Sequence, residues 1–182
     1  MAADFARLVS LACHDLRTPL ATVQGFAKTM LRLDEIEPEK QARYLGLIDG
    51  ASDELVLLLD QLSLAARIEG GRYEPVLREV DSLELAPAGA TGTGVTVRVD
   101  PEAAARGLAS LARAAARHGG VEVATAVDGA RVSIAPVVAA AAPIVLGEEA
   151  KDLGAAVAVT ALRAMGGEVE LEDEQLTVTL PT

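Results

Sequence analysis

The sequence predicts an α+β fold in two parts: a helical hairpin over residues 1–70 that pairs with a second copy as a dimeric four-helix bundle, then an α/β sandwich over residues 71–182. Three observations carry this expectation. Apolar side chains recur at steps of three and four from Ala3 to Ile68, interrupted only around Asp34 to Pro38. Gly70-Gly71 stops that pattern. Beyond it the chain reads as short alternating runs and two further helical stripes, punctuated by glycine and proline.

In the first helix, Ala3 to about Leu33, the stripe is Phe5, Val9, Ala12, Leu16, Leu20, Val23, Ala27 and Met30. The second helix carries Tyr44, Ile48, Ala51, Leu55, Leu58, Leu62 and Ala65, and ends near Ile68. Two long helices joined by a short turn run antiparallel. Alone they leave much of a leucine-rich face (Leu57, Leu58, Leu59, Leu62, Leu64) in water, and a second hairpin covers it in a homodimer.

In the second part, strands are expected at Glu74–Leu77 and Val95–Val99, with Ala86–Gly94 between them a loop by composition. Asp100 caps and Pro101 opens a helix with Ala104, Leu108, Leu111 and Ala115 on its buried face, and Gly119-Gly120 ends it. Strands at Val121–Val127 and Arg131–Ala135, a Pro/Ala segment, and a helix from about Asp152 to Met165 follow. Glu168–Leu171 and Leu176–Leu180 make a last hairpin turning at Asp173-Glu174, with Glu168, Glu170 and Glu172 on its exposed side. Helices on one face of a mixed sheet result.

Composition narrows the function. The chain has 182 residues, 51% of them hydrophobic, enough to bury a core. Its net charge of -11 repels phosphate backbones and anionic lipid, which excludes nucleic acid and membrane surfaces as expected partners. Aromatics are only 2%, too few for base stacking. The longest apolar run, Val132 to Leu146, is too short to span a bilayer and contains Pro136 and Pro143. A single cysteine, Cys13, and no basic-then-apolar leader after Met1 point to the cytoplasm. Cys13 is expected to be a small core or half-buried residue.

The chemistry concentrates in His14-Asp15-Leu16-Arg17-Thr18-Pro19-Leu20. His14 lies off the apolar stripe and faces solvent, with Thr18 one turn later on the same face. Asp15 is placed to orient the imidazole or stabilise its protonated form. Pro19 removes an N–H and crowds the carbonyl of Asp15, so the helix should bend and open just below the histidine. No metal-ligand spacing, nucleophile elbow or phosphate loop occurs elsewhere.

This string resembles the phosphoacceptor box of bacterial two-component histidine kinases, whose dimerisation and histidine-phosphotransfer domain is a helical hairpin. The resemblance implies that His14 is the phosphorylated residue, Asp15 its acidic neighbour and Thr18 the hydroxyl that places water for dephosphorylating a partner. The second part resembles the ATP-binding domain of those kinases in degenerate form. The asparagine that would hold magnesium aligns with Ala114, on a face completed by Ser110 and His118. Where an Asp-x-Gly-x-Gly turn should read adenine, the chain has Ala135-Pro136-Val137-Val138-Ala139-Ala140. Of the last glycine box only Leu153-Gly154-Ala155-Ala156-Val157 remains, so three phosphates and Mg²⁺ lack a cradle. His118 is expected to satisfy carbonyls at its helix end, and Arg106, Arg113 and Arg117 to form a solvated basic stripe or, as a minority reading, a dock for an acidic receiver.

An intact phosphoacceptor on a nucleotide-blind kinase fold resembles ChpT-type histidine phosphotransferases. The resemblance implies relay of phosphate through His14 between receiver domains of a hybrid kinase and a response regulator, without ATP and with no cofactor on this chain, Mg²⁺ residing on the receivers. With no sensor segment ahead of His14, a relay component is expected. The alternatives are a sensor kinase core with residual autokinase activity, or a silent dimeric module that binds or dephosphorylates a response regulator.

Overall fold

The computed structural model describes residues 2–33 and 35–182; Met1 and Asp34, the latter in the expected break between the helices, lie outside the described residues. The hairpin consists of α1 (Ala2–Arg32) and α2 (Pro38–Glu69). Pro38 opens α2 at a position where its missing N–H has no helical partner, so the helix starts a turn and a half ahead of the Tyr44 stripe. Phe26 and Tyr44 pack across the pair with ring centroids 5.1 Å apart. Contrary to expectation, α1 runs without interruption through Pro19. Pro19 itself is buried, whereas Leu20, assigned to the stripe, is 45% exposed. The proline ring thus takes the inward place the leucine was expected to fill.

The remaining elements are β1 (Arg78–Asp81), α3 (Ser82–Leu85), β2 (Thr91–Gly94), β3 (Thr96–Val99), α4 (Pro101–Gly119), β4 (Ala124–Gly129), β5 (Arg131–Ala135), α5 (Ala142–Val145), α6 (Leu153–Ala164), β6 (Glu168–Glu172) and β7 (Gln175–Thr179). Five strands form a mixed sheet in the order β2-β4-β5-β7-β6, and β1 pairs with β3 separately. Only β2 and β4 run parallel within the large sheet. Asp173 and Glu174 make the last turn with φ of 45° and 63°, the left-handed pair that a two-residue hairpin requires.

Three expectations are corrected. Glu74–Leu77 is not a strand, because its N–H groups find partners outside any ladder: Val76 N donates to the side chain of Asp100 at 3.2 Å and Leu77 N to the Pro75 carbonyl at 3.1 Å. The stretch expected to be a loop contains β2, held by parallel pairing with β4. The strand expected at Val121–Val127 starts later, at Ala124, and runs into a tight turn at Gly129.

The main core lies between the sheet and the helices α4 and α6, around Leu108, Leu111, Val132, Ile134, Leu162, Leu176 and Val178. A second cluster joins the two parts of the chain: Leu153 and Val157 of α6 pack on Ala12 and Ala65, ringed by Phe5, Leu8, Leu11, Leu58, Leu62 and Leu64. Part of the leucine face assigned to a second copy is therefore covered from within the chain. Leu45, Val56, Leu57 and Leu59 stay exposed. Among the described residues no helix is long and apolar enough to cross a membrane.

Candidate functional site

His14 falls on the sector of α1 that neither α2 nor α6 covers, and its side chain is 77% exposed. Nδ1 lies 3.1 Å from Oδ1 of Asp15, which is 23% exposed. A carboxylate at that distance favours the tautomer with hydrogen on Nδ1, leaving the Nε2 lone pair toward solvent. Thr18 is also exposed one turn later, but among the described residues no hydrogen bond joins its hydroxyl to His14. Cys13, expected to be at least half-buried, is exposed beside His14, since it shares the uncovered side of α1.

Where α1 faces the second part of the chain, two clefts open. One, about 670 Å³, has His14, Arg7 and Ser10 on the α1 side and Glu148, Glu149 and Arg163 opposite. The other, about 750 Å³, has Asp15 and Thr18 on α1, Glu54 and Gln61 on α2, and Ser110, Arg113, Arg117, Asp152 and Gly154 across from them. The phosphoacceptor motif thus straddles two openings, with the histidine at one and its neighbours at the other.

The residues that correspond to a nucleotide site do other work. Ala114 is 1% exposed and packed in the main core, with only a methyl group to offer. Ser110 is 5% exposed and its Oγ accepts from Arg113 Nη2 at 3.1 Å. His118 does not serve its own helix end, where Gly120 N already reaches the Ala116 carbonyl at 2.9 Å. It turns instead to Asp152, with Nε2 3.2 Å from Oδ2. The other oxygen of Asp152 caps α6 by accepting from Ala155 N at 3.0 Å, and Arg117 Nη2 approaches Oδ2 at 3.3 Å.

After β5, Val137 and Ala141 are buried in the core and Val137 N donates to the Glu174 carbonyl at 2.6 Å. Of the segment expected to hold an adenine-reading carboxylate and glycines, Ala135 to Ala140, Val137 is thus packed in the core. Neither Ala114 nor Val137 offers a side-chain ligand to ATP or its Mg²⁺. At Gly154 an added Cβ would sit 3.0 Å from Gln61 Nε2 and 3.3 Å from both Ser110 Oγ and Asp152 Oδ1. Its lack of a side chain makes room for a residue of α2, not for phosphate. Gln61 and Asp152 were not singled out from the sequence, although a lone polar residue in a leucine run and an aspartate three positions before Ala155 are readable signals.

Comparison with known proteins follows the same division. Residues 6–71 match the His Kinase A (phospho-acceptor) domain. The chain is 32% identical over 66 residues to a probable sensor histidine kinase, TcrY, of Mycobacterium tuberculosis, covering 36% of this chain and 14% of that protein. It is 36% identical over 64 residues to the sensor protein kinase PmrB of Pseudomonas aeruginosa, covering 35% and 13%. It thus spans a small fraction of the length of these relatives. Among solved structures, Acinetobacter baumannii histidine kinase AdeS superposes with a TM-score of 0.62 at 16% identity, over 92% of this chain and 97% of that one. Histidine kinase ThkA, in complex with response regulator protein TrrA, gives 0.51 at 16%, over 94% and 59%. At those identities the structural likeness is one of fold. The phospho-acceptor match and the sensor kinase relatives cover the helical hairpin, and over the rest of the chain the likeness to histidine kinases is one of fold.

Proposed function

We propose that the chain is a histidine phosphotransfer protein of a two-component phosphorelay, using His14 to carry phosphate between receiver-domain aspartates of a hybrid kinase and a response regulator. The observation that carries this reading is an exposed imidazole beside Asp15, on a kinase-like fold in which Ala114 and Val137, expected at nucleotide-facing positions, are buried in the core. In the forward step Nε2 attacks the phosphorus of an aspartyl phosphate, the bond from phosphorus to the carboxylate oxygen breaks, and the aspartate leaves as a carboxylate. Asp15 offsets the positive charge that develops on the ring. Delivery to the second receiver is the reverse reaction, with Mg²⁺ held by the receivers and none by this chain. Thr18 places water when phosphate is lost from a receiver. Dimerisation uses the exposed Leu45, Val56 and Leu59.

A second reading, a sensor kinase core with residual autokinase activity, is favoured by the names of the relatives, which are sensor kinases. Labelled ATP alone and a labelled phosphorylated receiver, each incubated with the protein, separate the two. The relay reading expects label on this chain only from the receiver. Label from ATP alone supports the autokinase, and label from neither removes both.

A further inference from the structure

The three arginines of α4 sit on a chain of net charge -11, and their surroundings set them apart. Arg106 lies 3.6 Å from Asp60 and 3.8 Å from Glu102. Arg117 lies 3.3 Å from Asp152. Arg113 is exposed and has no carboxylate at ion-pair distance among the described residues; its one anchor is Oγ of Ser110, a buried neutral hydroxyl. That contact fixes the guanidinium without neutralising it, and leaves other N–H donors free. Arg113 lines the cleft whose far wall carries Asp15 and Thr18. Of the carboxylates there, Asp152 is engaged with Arg117, His118 and the α6 cap, and Asp15 with His14. Glu54 remains, on the α2 side.

We propose that Arg113 is the docking contact for the anionic partner that exchanges phosphate with His14, so that α4 supplies the second wall of a composite docking surface. This rests on the phosphorelay reading and adds to it the part of the chain, outside the hairpin, that a receiver must touch. The overall field of the protein repels an acidic receiver. An unpaired, pre-anchored guanidinium beside the acceptor helix gives that partner a local attractive contact, with a fork suited to a carboxylate or phosphate.

The test uses the full chain and a receiver domain, phosphorylated with labelled acetyl phosphate, that labels the wild-type protein. Initial rates of His14 labelling are measured against receiver concentration. Arg113→Glu is expected to raise the half-saturating receiver concentration about tenfold while the maximal rate stays within about twofold, and the penalty should shrink as salt is added. Arg113→Gln should show a smaller rise. Arg106→Ala, which removes an arginine already paired, should match wild type. Unchanged half-saturation in Arg113→Glu, or an equal rise in Arg106→Ala, overturns the contact while leaving the relay intact. Wild-type protein that takes label from no receiver in a panel overturns the relay reading, and the contact with it.

Discussion

A surface histidine becomes a useful phosphoryl acceptor when one ring nitrogen is held and the other is left open, and the pair His14 and Asp15 meets both conditions within two adjacent residues. Thr18 has a separable part. Thr18→Ala should leave labelling of His14 within about twofold of wild type yet slow net loss of phosphate from a receiver, since the helix loses no propensity and only a hydroxyl is gone. Equal loss of both activities in a time course would assign Thr18 to docking geometry instead. Tyr73 offers a test of packing at the same scale. Its Oη is buried without a hydrogen-bond partner among the described residues, and burial first, then Asp100, push its pKa up while Arg67 pulls it down. Tyr73→Phe should therefore cost nothing, or gain up to about 1 kcal/mol, because an unsatisfied hydroxyl is removed and the ring stays. A clear drop in the denaturation midpoint would mean that the hydroxyl has a partner.

At the scale of elements, α6 decides how the two parts meet. One of its faces (Ala155, Ala158, Leu162) joins the main core and another (Leu153, Val157) joins the hairpin. Leu153→Ala should destabilise the protein by about 2–5 kcal/mol in denaturant titrations, as truncation of a fully buried leucine does. Leu62 belongs to that internal cluster, so a charge there attacks stability before it attacks dimerisation. Val56 and Leu59 are exposed and separate the effects. Val56→Glu with Leu59→Glu should keep the fold and yield a monomer by light scattering where wild type is a dimer; a monomeric wild type would refute the dimer. The helices α1, α2, α4 and α6 were legible because three- and four-residue periodicity is local, whereas the four-residue α3 and α5 are too short to show a period. The all-round apolar sequence of α6, Leu153-Gly154-Ala155-Ala156-Val157-Ala158-Val159, is that of a helix buried on two sides, a feature that went unread. β2 was illegible for a different reason. Thr91-Gly92-Thr93-Gly94 has little strand propensity; pairing with β4 makes it a strand, and Gly92, at φ 121°, is needed because a side chain there would run into the Val127 carbonyl.

Over the whole molecule, the helix that carries His14 packs with a second part whose own side chains turn inward. Ala114 feeds the core, Gly154 admits Gln61, and Asp152 ties α4 to α6. The motif around His14 was readable in the sequence because it depends on residue types at short spacing. The use of Gln61 and Asp152 was not, because it arises only when α2, α4 and α6 converge. On the relay reading, calorimetry should detect no micromolar binding of ATP with Mg²⁺, since Ala114 and Val137 supply no ligand at the positions expected to face nucleotide. The most direct measurement is transfer of label from a phosphorylated receiver to wild-type protein and to His14→Gln, an exposed substitution that preserves the fold but removes the ring nitrogen. The phosphorelay reading requires label on the wild type and none on the variant, at equal folded concentration by circular dichroism. Label on His14→Gln would place the acceptor elsewhere and contradict it.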